Sequence, residues 1–284
     1  MIAIVGLIVV FGSVLAGFSM AGGPISVLFV VSEYLIIGGV ALGIMLVSTP
    51  GHVLGKMMKK VLGILKPSSF GKDLYLDGLK MLYELFQIAR RDGLVAIESH
   101  IEEPEKSDLF RRYPKILHMH HPTQFLCDSL RLVLVGSVPP HDLDMLMDSE
   151  IEVHHESEAA PVTALTTVGD ALPGIGIVAA VLGIVVTMQS IAGPIEEIGH
   201  HVASALVGTF LGILLSYGLF APVANKIAAT NAAESEVYQF FRAAVTAFAK
   251  GFAPIVVVEF ARRAIIAERR PSFMEMENAC KSTK

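Results

Sequence analysis

All 22 lysines and arginines of this 284-residue chain fall into two blocks, residues 56–131 and 226–284. The stretches before and between the blocks hold four long apolar runs, residues 1–21, 25–47, 171–191 and 202–223. A helix needs about 20 apolar residues to cross a hydrocarbon layer about 30 Å thick, because it rises about 1.5 Å per residue. Each run meets that length. Only the second carries a charge, Glu33, in its outward third. Basic residues gather in cytoplasmic loops, so both blocks are expected in the cytoplasm. An even number of spans then puts both termini there. The connectors 22–24 and 192–201 lack lysine and arginine and face outward.

The expected fold is an all-α integral membrane protein. A transmembrane hairpin (residues 1–47) precedes a cytoplasmic helical domain (48–170), a second hairpin (171–223) and a helical cytoplasmic tail (224–284). The first run lacks a basic leader and is closely followed by a second, so it reads as a retained span rather than a signal peptide. The valines at 256–258 lie between Lys250 and Glu259, too short a run for a fifth span. With 53% hydrophobic residues and a net charge of −5 of mixed sign, nothing reads as a nucleic-acid surface. Cys127 and Cys280 fall on the cytoplasmic side, where a disulfide is not expected. Cys127 reads as a small core residue.

Within the cytoplasmic segment, Leu76, Leu79, Leu82, Tyr83 and Phe86 recur at helical spacing with charges between them. Asp92-Gly93 marks a break, and Pro139-Pro140 stops one helix and opens the next. The acidic stretch 142–158 reads as a solvated helix face.

The third and fourth runs carry small residues at helical spacing: Pro173, Gly176, Ala180, Gly183 and Thr187 in one, Gly208, Gly212 and Ser216 in the other. Such stripes let helix backbones approach closely. Pro173 and Pro222 each remove a backbone hydrogen bond, and both lie near the cytoplasmic ends of their spans, where a pair of kinks forms a hinge. Thr209 puts a hydroxyl inside the bilayer. No run has a carboxylate, lysine, arginine or histidine at its centre. A crossing ion needs a titratable or coordinating group there, so either the chain conducts nothing or a second polypeptide brings the acid.

Other classes find little support. His118, His120, His121, His154, His155, His200 and His201 are loosely spaced and no cysteine accompanies them, so a metal transporter is disfavoured and no metal site is expected. There is no nucleophile–base pair, no GxGxxG in context and no HExxH, so the chain does not read as an enzyme.

Residues 168–183 (VGDALPGIGIVAAVLG) and 207–222 (VGTFLGILLSYGLFAP) resemble the MotA family of flagellar motor stator subunits. So do RPSF at 270–273, MDSEIE at 147–152 and MAGG at 20–23. The likeness keeps register along nearly the whole chain. It implies a multi-pass protein of the bacterial inner membrane, a homo-oligomer (a pentamer around two MotB copies) set in lipid. The transmembrane aspartate of MotB would supply the missing acid. Proton flow would drive the ring, and its cytoplasmic part would push on FliG of the rotor, with no cofactor. By the same resemblance Arg90, Glu98 and Glu150 match rotor-facing charges. Eight residues separate Arg90 from Glu98, about 80° around an uninterrupted helix, so both can face outward. Pro173, Gly176, Ala180, Thr209, Tyr217 and Pro222 match positions along the ion path and its conformational coupling. Sodium-driven relatives carry threonine where this chain has Ala180, which points to protons; a sodium-driven stator stays an alternative. So does an energiser of envelope transport like ExbB or TolQ, although four spans and the 270–273 signature count against it.

Overall fold

The computed structural model describes residues 2–65, 70–189 and 191–281, and among these every regular element is helical. In chain order the α-helices are α1 (Ile2–Met20), α2 (Val31–Ser48), α3 (Gly51–Gly63), α4 (Lys72–Asp92), α5 (Glu98–Glu102), α6 (Asp108–Arg111), α7 (Pro114–Leu117), α8 (His120–Val135), α9 (Pro140–Gln189), α10 (Ile195–Leu215), α11 (Ala221–Ala249), α12 (Pro254–Arg263) and α13 (Phe273–Lys281). A π-helical segment, Ser216–Phe220, joins α10 to α11. Four stretches, Ile2–Met20, Ile25–Ser48, Pro140–Gln189 and Ile195–Ala249, are long and apolar enough to cross a membrane. The chain divides into two compact units: Met1–Pro67 with Glu158–Ala229, and Ser68–Ser157 with Thr230–Lys284. α9 and α11 each run from one unit into the other.

The first unit is built from α1–α3, the second half of α9, α10 and the start of α11. Its cores are small. Ile37 and Ala41 of α2 pack with Val168, Leu172, Ile175 and Ala179 of α9 and Leu211 of α10. A second cluster joins Met57, Ala164, Leu165, Val223, Ala224 and Ile227. α3 is amphipathic: Val53 and Met57 are buried, while Lys56 and Lys60 both pair with Glu158, the first at 2.6 Å. α1 has no buried residue. Many apolar side chains of α9, among them Ile177, Val181, Leu182 and Val185, are exposed. Burying apolar area is the main favourable term in water, so a unit with so little of it suits a lipid setting better than an aqueous one.

Two boundaries differ from expectation. The second apolar run is not one helix: Ile25–Leu28 form a 3-10 turn, and the backbone at Phe29 (φ −97°, ψ 76°) leaves helical space before α2 starts. The connector expected over residues 192–201 is also shorter. Pro194 sits at the N-cap and α10 starts at Ile195, with Glu196 and Glu197 in its first turn, where the helix dipole favours negative charge. His200 and His201 are therefore helical.

The second unit holds the larger core. Leu79, Leu82 and Phe86 of α4 are fully buried, as the spacing predicts, together with Phe110, Leu126, Phe241 and Val257, whereas Leu76 and Tyr83 of the same pattern are only half-buried. Phe86 stacks on Phe248 with ring centroids 4.3 Å apart, and Tyr75 meets Phe240 edge to face at 5.6 Å. Gly78 permits this approach, since a Cβ there would stand 3.0 Å from Phe240. α12 carries the valines of 256–258 in a short amphipathic helix, with Val257 and Val258 buried. Cys127 is a buried core residue, and Cys280 is buried too; neither is in a disulfide.

Polar side chains knit this unit across long sequence separations. Arg242 pairs with Asp144 at 2.9 Å and also with Asp148, and Thr246 donates to Asp144 at 2.9 Å. Buried Glu84 accepts from Tyr113 at 2.5 Å and pairs with Arg112. The acidic stretch is thus only partly a solvated face: Asp142, Glu150, Glu152 and Glu156 are exposed, whereas Asp144, Asp148 and Glu158 are held in ion pairs.

Candidate functional site: a close-packed helix pair and an exposed charge set

In the first unit the small-residue stripes of α9 and α10 face one another. A Cβ added at Gly176 would stand 2.7 Å from the carbonyl oxygen of Gly208 and 3.2 Å from the Cα atoms of Gly212 and Thr209. At Gly212 it would stand 2.5 Å from the carbonyl oxygen of Leu172, and at Gly183 2.8 Å from the Cβ of Ala205. The two backbones therefore touch along about three turns, which side chains larger than hydrogen do not permit. Gly176 and Thr209 are brought together. Ala180, one turn further along α9, is half-buried, as are Pro173 and Thr209. Thr187 is buried and donates to the carbonyl of Gly183 at 2.8 Å, so its hydroxyl is satisfied within its own helix.

Tyr217 and Pro222 lie elsewhere. Tyr217 is 70% exposed and belongs to the π-helical segment, and Pro222 is exposed just after it. α9 continues through Pro173 without interruption. The π segment was missed by sequence reasoning, although a signal for it existed. Pro222 has no N–H to return to the carbonyl four residues back, at Gly218, and a widened turn accommodates such a deficit.

In the second unit Arg90 ends α4 and Glu98 opens α5, and both are exposed. They do not share one helix. Gly93 takes φ +94°, which only glycine adopts readily, and a 3-10 turn (Leu94–Ile97) follows. The 80° relation of a continuous helix therefore does not hold, although both side chains face outward. Neither makes an ion pair among the described residues, unlike the neighbouring Arg91, which is tied to Asp92 at 2.7 Å. Arg90 stands between two shallow depressions of about 680 and 580 Å³. Leu94, Pro139 and Phe252 line one, Gln87, Arg112 and Ile255 the other. Glu150 on α9 is exposed and makes no ion pair among the described residues.

His121 and His154 approach with ring centroids 6.3 Å apart, and His154 lies 4.6 Å from Tyr238. Among the described residues no group of three or more His, Cys, Asp or Glu is gathered as a metal site would require.

Four apolar helical stretches, two of them drawn out into a helical unit with unpaired surface charges, define a polytopic helical membrane protein. Residues 4–93 match the family described as Motility protein A N-terminal, and residues 118–239 match the MotA/TolQ/ExbB proton channel family. Motility protein A of Salmonella typhimurium is 36% identical over 284 residues, covering 100% of this chain and 96% of that protein; the Escherichia coli protein gives the same figures. The fold also matches a structure titled C. jejuni MotAB (TM-score 0.77, 22% identity, 95% of this chain and 97% of that one). A second match is the flagellar MotAB stator complex from Bacillus subtilis (TM-score 0.74, 24% identity, 90% and 92%). The chain belongs to the MotA family of flagellar stator subunits, within the MotA/TolQ/ExbB proton channel family.

Proposed function

We propose that this stator subunit lies in the bacterial inner membrane with both termini in the cytoplasm. It assembles as a ring, a pentamer, around two copies of a MotB-type partner. Protons pass to the partner's transmembrane aspartate, and the second unit turns that flow into torque on FliG. The observation that carries this reading is the 36% identity to Motility protein A over the whole chain. The roles of the named residues are inferred from their family positions and their surroundings. No catalytic step and no cofactor enter the reading.

The physical chemistry agrees with it. A membrane potential supplies about 2.3 kcal/mol per charge per 100 mV, a few times RT, so the moving contact must be low in friction. Exposed apolar side chains on α9 need lipid, a second copy or a partner helix to cover them. Ala180 offers no oxygen to a sodium ion, which favours protons. Exposed, unpaired Arg90, Glu98 and Glu150 suit a rotor contact made and broken at each step, because such charges govern steering and exchange more than tight binding.

The test is complementation of a stator-deleted strain, with proton uptake measured for the chain alone and with its partner. Motility and uptake are expected only with the partner. A strong leak from the chain alone overturns the borrowed-acid mechanism.

A further inference from the structure

Glu33 is the only charged residue of the second apolar run, and it is 3% exposed. It is the third residue of α2. Its Oε2 has no hydrogen-bond partner among the described residues, the only such buried side-chain oxygen or nitrogen there. The carboxyl lies in a notch at Gly208 of α10. A Cβ built on Gly208 would clash with Oε2, and would stand 3.2 Å from the Glu33 Cδ and 3.1 Å from the Cβ of Ala179 on α9. Glycine at 208 thus does two things: it admits the backbone of α9 and it leaves room for this acid, beside Thr209.

Among the described residues no counter-charge is paired with it. α2 and α1 carry no other charged residue, and α9 carries none between residues 171 and 189. On α10 the titratable groups are Glu196, Glu197, His200 and His201. The nearest, His201, is seven residues from Gly208, about 10 Å along the axis. An ionised carboxylate in this notch has no cation among the described residues to offset its burial. The protonated acid has no net charge to offset. A lone ionisable group inside a bundle of this kind marks a route for ions or protons.

We propose that Glu33 is a proton-carrying carboxyl in the outer half of the ion path, a carrier that this chain itself provides ahead of the partner's acid. The inference rests on the stator reading above. In each transfer the Glu33 O–H bond breaks, the proton passes inward to the partner's carboxylate, and Glu33 is reprotonated from the His201 end. Lying in the outer third only, it does not replace the central acid.

The experiment uses the full chain with its partner. Glu33→Gln keeps the shape of the side chain and any capping role at the helix start, but cannot release a proton. Proton flux is expected to fall on the order of a hundredfold, the contribution of a positioned proton-transfer group, with normal assembly; Glu33→Asp should recover part of it. Wild-type flux in Glu33→Gln overturns the proposal. A wild-type complex that conducts nothing overturns the stator reading instead. Independently of any variant, a membrane-soluble carbodiimide, which reacts with protonated carboxyls, should modify Glu33 in wild-type membranes; no adduct there overturns the proposal.

Discussion

Gly176 and Gly208 meet backbone to backbone: a Cβ on the first would stand 2.7 Å from the carbonyl oxygen of the second. Gly174, two residues away on the same helix, would meet nothing within 4 Å. Gly176→Val should therefore separate α9 from α10 and destabilise the first unit by about 1–3 kcal/mol, the usual cost of overpacking. Gly174→Ala should be silent. Thermal denaturation in detergent separates the two, and equal melting temperatures would remove the close-packing argument.

Arg90 and Glu98 are exposed and unpaired in the chain, so removing them should cost less than about 0.5 kcal/mol of stability. Arg90→Ala combined with Glu98→Ala is expected to abolish swimming with membrane insertion and partner binding intact. Arg242→Ala is the structural contrast. It leaves half-buried Asp144 with only its Thr246 bond and exposed Asp148 unpaired, and should destabilise the second unit by about 1 kcal/mol. Unimpaired swimming in the double variant takes these two charges out of torque generation.

Pro173→Ala restores an N–H inside α9, and Pro222→Ala restores the one that the π-helical segment does without. Each should lower torque more than assembly. A normal torque–speed curve in both variants excludes the hinge.

Glu259 lies between Arg262 and Arg263, at 2.7 Å from each, and hydrogen bonds from Arg262 foremost hold its carboxyl down to about 2. A carboxyl depressed on folding stabilises above its unfolded value near 4.5, and that contribution is lost as pH falls toward 2. The loss should be about 1–2 kcal/mol after solvent screening. Melting temperatures between pH 5 and 2 should fall less steeply for Glu259→Gln than for the wild type.

Burial pushes the Cys127 thiol up to about 12 and the Cys280 thiol up to about 11, so neither should react with maleimide in the folded protein. A single cysteine at exposed Ala192 then reports topology cleanly. An impermeant maleimide should label Ala192→Cys from outside intact cells; labelling only after lysis reverses the assigned orientation.

The four apolar stretches, the helical character of the rest and the small-residue stripes could all be read from the chain. Each depends on residues near in sequence, where transfer free energy and helical period act over one segment. The break at Gly93 was visible in Asp92-Gly93. Its consequence was not: Arg90 and Glu98 sit on different helices because Gly93 adopts a left-handed backbone that spacing alone cannot reveal.

Contacts between distant residues were decided by the fold alone. Glu33 and Gly208 are 175 positions apart, and nothing local says that a span-two acid rests on a span-four glycine. Arg242 finds Asp148 across 94 positions, turning part of an apparently solvated acidic face into ion pairs. Hydrophobic pattern tells each helix what surroundings it needs; packing chooses which neighbour provides them, since close approach depends on two surfaces together.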